Sequence, residues 1–145
     1  MDLDIGCRAP PHPLLHFPAI LPMTKPVGVS NDLMFSAPRT PFLDLVIHSL
    51  DSFNHNWLFM PYATVMFSTG PMFISAMYSM WSRILQRGMN IDSAKRHLYH
   101  RVRILPKSLY GKNILPEDAP NSFYYHYYGS SWHAGDAGFV GFVSL

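Results

Sequence analysis

The first helical pattern in the chain begins at Thr40 and Pro41. This pair is typical of a helix start, since a threonine hydroxyl can cap the first turn and proline lacks the amide hydrogen that would find no acceptor there. Phe42, Val46 and Leu50 then recur at helical spacing, which places them on one side. The pattern predicts an amphipathic helix over residues 41–53.

A second helical pattern opens at Gly70 and Pro71 and closes at Gly88. Its apolar side is formed by methionine, aromatic and aliphatic residues, namely Phe73, Met77, Met80, Trp81, Ile84 and Leu85. Core packing is the first interpretation of this side, and contact with a membrane or a lipid is the alternative. We therefore predict a helix from residue 71 that ends at Gly88.

The remaining segments favour strands and loops. Runs of β-branched and aromatic residues predict short strands at 27–32, 61–67, 102–105 and 123–128. The proline-rich stretch 10–26 predicts an extended segment lying over a surface, and 107–121 reads as a loop. Residues 1–7 alternate apolar and acidic residues, with no strand signal before them. Together these elements indicate an irregular α/β chain.

Composition narrows the class of protein. The 145 residues are 48% hydrophobic and 14% charged, which is too apolar for a disordered chain. The net charge of +2 comes from scattered basic residues, so nucleic-acid binding is poorly supported. No run of about 18 apolar residues predicts a membrane span, and the chain carries no recognisable targeting signal. The single cysteine, Cys7, cannot form an internal disulfide and is expected to be a small buried residue.

The first candidate for chemistry is the triplet Asp2-Leu3-Asp4. Two carboxylates that flank one residue can hold a divalent cation, and oxygen ligands suit Mn²⁺ and Mg²⁺. Such a cation could neutralise a nucleotide diphosphate as it leaves. The alternative is a surface acidic pair without a function.

Two further segments offer polar groups next to predicted strands. Residues 126–133 (HYYGSSWH) combine an imidazole with glycine and serines that could face phosphate oxygens, although a histidine among aromatic residues is often part of a core. Asn31 and Asp32 form the polar end of the strand predicted at 27–32, where α/β sheets commonly bind ligands. These two could contact sugar hydroxyls, or could simply form a turn or a helix cap.

Read in order, six segments resemble glycosyltransferase family 32, and within it the fungal mannosyl inositol phosphorylceramide synthases. The likeness runs from Asp2 to about Ala137, and six ordered motifs are more specific than any one alone. The segments are residues 2–8 (DLDIGCR), 18–22 (PAILP), 28–32 (GVSND), 38–42 (PRTPF), 68–71 (STGP) and 126–133 (HYYGSSWH).

This resemblance implies a fold and an activity. The fold would be an α/β, GT-A type nucleotide-diphospho-sugar transferase domain over residues 1–137, without its N-terminal nucleotide-binding half, followed by an apolar tail at 138–145. The activity would be retaining transfer of mannose from GDP-mannose to inositol phosphorylceramide, with Mn²⁺ or Mg²⁺, at the lumenal side of the Golgi membrane. A sphingolipid acceptor, a regulatory membrane subunit and membrane association would follow.

The resemblance also implies roles for individual residues. Asp2 and Asp4 match the Asp-x-Asp motif, with Asp4 as the direct metal ligand, and His126 matches the histidine that completes the metal site. Asn31 and Asp32 would lie near the transferred sugar. Three residues would lie along the diphosphate, namely Gly129, Ser130 and Trp132.

The chain also departs from the family pattern. About a hundred residues that grip the nucleoside would precede the Asp-x-Asp motif, the aromatic residue before it is replaced by Met1, and residues 9–12 (APPH) stand where a more polar, basic run is expected. We therefore expect the chain to be inactive by itself. Two alternatives stay open: a non-catalytic module that binds a membrane or a partner subunit through residues 72–85, and a family member with a glycan acceptor.

Overall fold

A computed structural model describes residues 1–2, 4–24, 28–56, 60–88, 100–111, 114–115 and 117–126. Four helices lie in these ranges: α1 (Pro41–Ser49), α2 (Pro61–Ser68), α3 (Pro71–Gly88) and α4 (Lys107–Tyr110). Single 3-10 turns lie at His12–Leu14 and Asp51–Phe53. The strands are β1 (Ile5–Cys7), β2 (Ala19–Pro22), β3 (Phe35–Ser36), β4 (Val102–Leu105) and β5 (Tyr124–His126). The chain is therefore mixed α/β, as predicted.

The described strands form two small sheets. In the first, β2 lies between β3, which is antiparallel to it, and β4, which is parallel. In the second, β1 and β5 pair antiparallel, with Ile5 opposite His126 and Cys7 opposite Tyr124. Both pairings join residues far apart in sequence, so each sheet brings distant parts of the chain together.

Strand β2 separates two hydrophobic clusters because successive side chains of a strand point to opposite faces. Ala19 and Leu21 pack against α1 and α3 in the first cluster. Ile20 points the other way, into the second cluster, whose buried members include Ile5, Leu33, Tyr110 and Tyr124. A strand that is buried on both faces needs an apolar sequence, and the segment Ala-Ile-Leu-Pro supplies it.

The prediction for residues 10–26 is therefore wrong in its main point. Its proline content favours an extended backbone, and the 3-10 turn and β2 both occur there, but Ala19–Pro22 is a buried central strand rather than a surface segment. Pro22 is accommodated at the last position of the strand. The strand predicted at 27–32 is also not found among residues 28–32, where Val29 makes only an isolated bridge with Met23.

The two long helical patterns are confirmed. Helix α1 begins at Pro41 with Thr40 as the N-cap residue, and a 3-10 turn carries the chain on to Phe53. Helix α3 runs over the predicted range and buries Phe73, Ile74 and Met77 against the first cluster. The Trp81 ring meets the Phe42 ring edge-on, and its indole nitrogen donates a hydrogen bond to the His100 carbonyl at 2.9 Å.

The strand predicted at 61–67 is wrong, because this segment forms α2. Proline at the first helical position suits a helix start, and Thr64 donates its amide to the Met60 carbonyl at 2.9 Å. The helix packs against α3 and buries Ala63 and Ser68. The valine and aromatic residues that favoured a strand are thus held in a helix by this packing, which overrides local propensity.

Three smaller differences between prediction and structure concern residues 5–7, Cys7 and residues 107–110. Residues 5–7 form β1 although no strand signal precedes them, because β5 supplies the pairing partner. Cys7 is exposed rather than buried, at the last position of β1. Within the predicted loop 107–121, residues 107–110 form α4. The strands predicted at 102–105 and 123–128 are confirmed as β4 and β5, with residues 127–128 outside the described ranges.

No helix within the described ranges is long and apolar enough to cross a bilayer.

Methionines 77 and 80 offer a matched test of the first hydrophobic cluster. Met77 is fully buried, whereas Met80, one turn further along α3, is 43% exposed. We expect Met77→Ala to lower the free energy of unfolding by about 2–5 kcal/mol, because it leaves a cavity in a packed core. Met80→Ala should cost less than about 1 kcal/mol. Urea unfolding followed by circular dichroism measures both, and equal losses would contradict the packing described.

Candidate functional site

Three separate parts of the chain meet around Asp4. Asp4 lies directly before β1, and the register of β1 with β5 places His126 opposite its neighbour Ile5. As a result the imidazole Nε2 of His126 lies 3.2 Å from a carboxylate oxygen of Asp4. His126 is largely buried, with 14% of its side chain exposed, whereas a third of the Asp4 side chain remains accessible.

The third part is the loop that carries Asp32. The amide of Asp2 donates a hydrogen bond to the Asp32 carbonyl at 2.7 Å, which ties the start of the chain to this loop. Asp32 itself is only 4% exposed. The predicted residues Asp2, Asp4, Asp32 and His126 are thus brought to one region, although they come from both ends of the sequence and its first third.

Tyr110 is a member of this region that the sequence analysis missed. It ends α4 and is almost completely buried, with its hydroxyl beside the Asp32 carboxylate. Burial raises the pKa of this hydroxyl far above its ordinary value, and the negative charges of Asp32, Asp2 and Asp4 raise it further. Tyr110 therefore stays protonated. No motif around residue 110 indicated this, since only the folded chain brings α4 to Asp32.

Local structure fixes Tyr110 at the end of α4. Gly111 follows it with φ of 83°, a left-handed conformation that favours glycine and terminates the helix. A Cβ atom at this position would collide with the Tyr124 carbonyl oxygen. The close passage of Gly111 against β5 thus positions both tyrosines.

Asn31 is directed elsewhere. Its side-chain amide donates a hydrogen bond to the Thr69 carbonyl at 3.0 Å, in the connection between α2 and α3. The adjacent backbone is held by Ser75 of α3, whose hydroxyl accepts from the Val29 amide at 2.9 Å and donates to the Val29 carbonyl at 3.1 Å. The loop that carries Asp32 is therefore built on the α2–α3 connection.

The described geometry brings two of the predicted metal ligands, Asp4 and His126, into contact. Among the described residues, no group of three or more His, Cys, Asp or Glu side chains is arranged to hold a metal ion. Asp4 and His126 form a pair of suitable ligand types, an oxygen and a nitrogen donor, whereas Asp2 is exposed and contributes its backbone amide to the contact with Asp32. Gly129, Ser130 and Trp132, predicted to lie along a diphosphate, lie outside the described residues.

Comparison with known proteins identifies relatives over nearly the whole chain. Inositol phosphoceramide mannosyltransferase 3 of Schizosaccharomyces pombe is 39% identical over 140 residues, covering 97% of this chain and 35% of that protein. The mannosyl phosphorylinositol ceramide synthases CSH1 and SUR1 of Saccharomyces cerevisiae are 43% and 40% identical, covering 97% and 94% of this chain but 33% and 31% of those proteins. No family model matches the chain, and no solved structure matches it.

The names of these relatives place them in one class of protein, the glycosyltransferases that transfer mannose. More particularly, the chain is a homologue of the inositol phosphoceramide mannosyltransferases along nearly its entire length. It spans about a third of the length of the relatives it matches. The resemblance noted in the sequence is thereby confirmed.

The two buried tyrosines generate a prediction for stability at high pH. Burial raises the pKa of Tyr124 to about 12, and Tyr110 is shifted in the same direction. In the unfolded chain both hydroxyls ionise near their ordinary pKa of about 10, whereas the folded chain holds their protons. The contribution of these two protonated hydroxyls to the free energy of unfolding is therefore fully present below pH of about 10. It decreases as the pH rises toward about 12.

The double variant Tyr110→Phe, Tyr124→Phe should lose most of this dependence, because phenylalanine has no proton to release. Tyr78→Phe, which removes a hydroxyl from α3 instead, serves as the control and should keep it. Urea unfolding midpoints across this pH range measure the difference. An unchanged slope in the double variant would contradict the burial assigned to these hydroxyls.

Proposed function

We propose that this chain forms part of a retaining mannosyltransferase of GT-A type that transfers mannose from GDP-mannose to inositol phosphorylceramide. The observation that carries the proposal is the contact of 3.2 Å between Asp4 and His126. These are the two residues whose types and positions match the expected metal site, and the fold joins them across 122 positions of sequence through the pairing of β1 with β5. The names of the homologous proteins supply the substrate class.

The metal proposed for this site is Mn²⁺, or Mg²⁺ in its place. Asp4 would provide an oxygen ligand and His126 a nitrogen ligand, and such cations commonly complete their coordination with waters and substrate phosphates. A bound cation supplies charge neutralisation for a departing nucleoside diphosphate. Asp2 would support Asp4 by fixing the backbone before it, and we assign Gly129, Ser130 and Trp132 to the diphosphate itself.

Asp32 is the second group in the proposal, and it would act near the transferred sugar. It is buried, and the charge of its carboxylate helps to raise the pKa of the Tyr110 hydroxyl. A carboxylate that is oriented in advance can accept hydrogen bonds from sugar hydroxyls without reorganising. Asn31 would shape this loop, since its side chain is already bonded to Thr69.

The names of the relatives support the proposed acceptor, and we propose a membrane setting to go with it. Inositol phosphoceramide is a sphingolipid, so the complete protein would work at a membrane, and we place it at the lumenal side of the Golgi. A regulatory membrane subunit remains part of the proposal as a partner. The nucleoside of GDP-mannose would contact residues that belong to the remainder of such a protein.

A chimera tests the proposal in the setting of a complete enzyme. In it, this chain replaces the stretch of CSH1 to which it aligns, in yeast cells that lack their own mannosyl phosphorylinositol ceramide synthases. We expect membranes from these cells to form mannosylated inositol phosphorylceramide from GDP-mannose, measured by mass spectrometry. Asp4→Asn should lower the rate by roughly 100-fold or more, because it removes a charge that stabilises the leaving group.

The matched control is Asp44→Asn on α1, which changes the same chemical group at an exposed position. It should leave the rate within about twofold, since it is remote from the reacting groups. Equal rates for the Asp4→Asn and unmodified chimeras, with similar protein levels, would refute the role given to Asp4.

A further inference from the structure

The exposed side of α3 carries several apolar residues, although the opposite side already fills the first hydrophobic cluster. The exposed positions recur at helical spacing and form a continuous stripe along the helix. Met72, Met80 and Ile84 are between 43% and 46% exposed. The stripe consists of Met72, Ala76, Ser79, Met80, Arg83, Ile84, Gln86 and Arg87. Its apolar members belong to neither of the two hydrophobic clusters formed by the described residues.

The neighbouring helix α2 adds further exposed apolar surface. Val65 and Phe67 are exposed by 45% and 40%, and α2 contains no charged residue. Surface helices of soluble proteins normally carry charges on their outer side. Here no Asp, Glu, Lys or Arg occurs between Asp51 and Arg83, so α2 and most of α3 present uncharged side chains.

The charges that do occur on this surface have one sign. Arg83 and Arg87 lie on the exposed side of α3, one turn apart and next to Ile84. No Asp or Glu lies between Asp51 and Asp92, so no acidic residue of α2 or α3 neutralises them. Apolar residues flanked by arginines are the pattern of a helix that lies in the interface of an anionic membrane, where the arginines reach lipid phosphates.

This surface is joined directly to the candidate site. Phe67 and Met72 flank the connection between α2 and α3, and the Thr69 carbonyl in that connection accepts the hydrogen bond from Asn31. Asn31 precedes Asp32, the buried carboxylate beside Tyr110. Phe67 and Met72 therefore lie close in sequence to Thr69, the residue that is hydrogen-bonded to the loop carrying the proposed sugar-binding group.

We propose that the exposed side of α2 and α3 docks on a bilayer containing anionic inositol phospholipids. Phe67, Met72, Met80 and Ile84 enter the interfacial layer, and Arg83 and Arg87 contact lipid phosphates. This inference rests on the proposed function, because it assigns a surface to the lipid acceptor of that reaction. Docking in this way sets the Asn31–Asp32 loop near the level of the headgroups, where an inositol acceptor is presented.

Binding to vesicles tests this directly, without any sugar transfer. The purified 145-residue chain is floated with vesicles of phosphatidylcholine alone or of phosphatidylcholine with phosphatidylinositol. We expect binding that is stronger with phosphatidylinositol and that weakens as salt is raised, because exposed charges are screened. Loss of two interfacial apolar side chains in Met80→Ser, Ile84→Ser should reduce the partition coefficient by roughly tenfold or more.

Two matched control variants distinguish binding through this surface from nonspecific binding through other exposed residues. Leu15→Ser, Leu115→Ser removes two side chains that are more exposed than those of α3, yet it should leave binding unchanged. Arg87→Glu should abolish the preference for phosphatidylinositol, whereas Arg101→Glu, an equal change of charge at another exposed position, should largely retain it. Circular dichroism confirms that each variant is folded.

The other outcomes overturn the proposal. It fails if the unmodified chain does not float with either vesicle, or if the α3 variants and the Leu15 and Leu115 variant bind alike. It also fails if the chain sediments as a dimer that Met80→Ser, Ile84→Ser converts to a monomer while vesicle binding is absent, since the surface then holds a second copy. If the 145-residue chain binds vesicles as expected but the chimera transfers no mannose, the proposed function is refuted and the docking surface stands.

Discussion

The parallel pairing of β2 with β4 is the constraint on which the rest of the structure depends. It aligns Ala19–Pro22 with Val102–Leu105, residues that are more than eighty positions apart, and it buries β2 on both faces. Each face then organises a hydrophobic cluster, one with α1 and α3 and the other with β1, β5 and α4. Without this pairing, neither the helices nor the second sheet would have a common surface to pack on.

Elements that depend on local pattern could be predicted from the sequence, whereas elements that depend on distant partners could not. Helices α1 and α3 each carry a complete apolar side and clear start signals, so local pattern was sufficient. Strand β2 was misread because its prolines suggest a surface segment, and its burial depends on β3 and β4. Helix α2 was misread for the opposite reason: its valine and aromatic residues favour a strand, but packing on α3 selects the helix.

The candidate site divides in a similar way. Asp4 and His126 were predicted as partners only because several motifs resembled one family in order, and the structure places them in contact. The assignment of three metal ligands went further than the described geometry, in which Asp2 acts through its amide on Asp32. Tyr110 could not be predicted, since it has no motif and its relation to Asp32 exists only after α4 has packed against β5.

One short loop, residues 28–32, joins the candidate site around Asp4 to the exposed side of α2 and α3 that we propose as a docking surface. A lipid acceptor and a sugar donor could meet at this loop. Residues 28–32 contact α3 through Ser75 and the α2–α3 connection through Asn31, while Asp32 faces Tyr110 and holds the amide of Asp2. Gly28 permits this close approach, with φ of 100° and no side chain to collide with Ser75. Three hydrogen bonds therefore join the loop to α3 and to the α2–α3 connection. The Asp32 carbonyl of the same loop accepts a hydrogen bond from Asp2, which lies two residues before Asp4. The fold thus connects the proposed docking surface to the proposed metal site through this one loop.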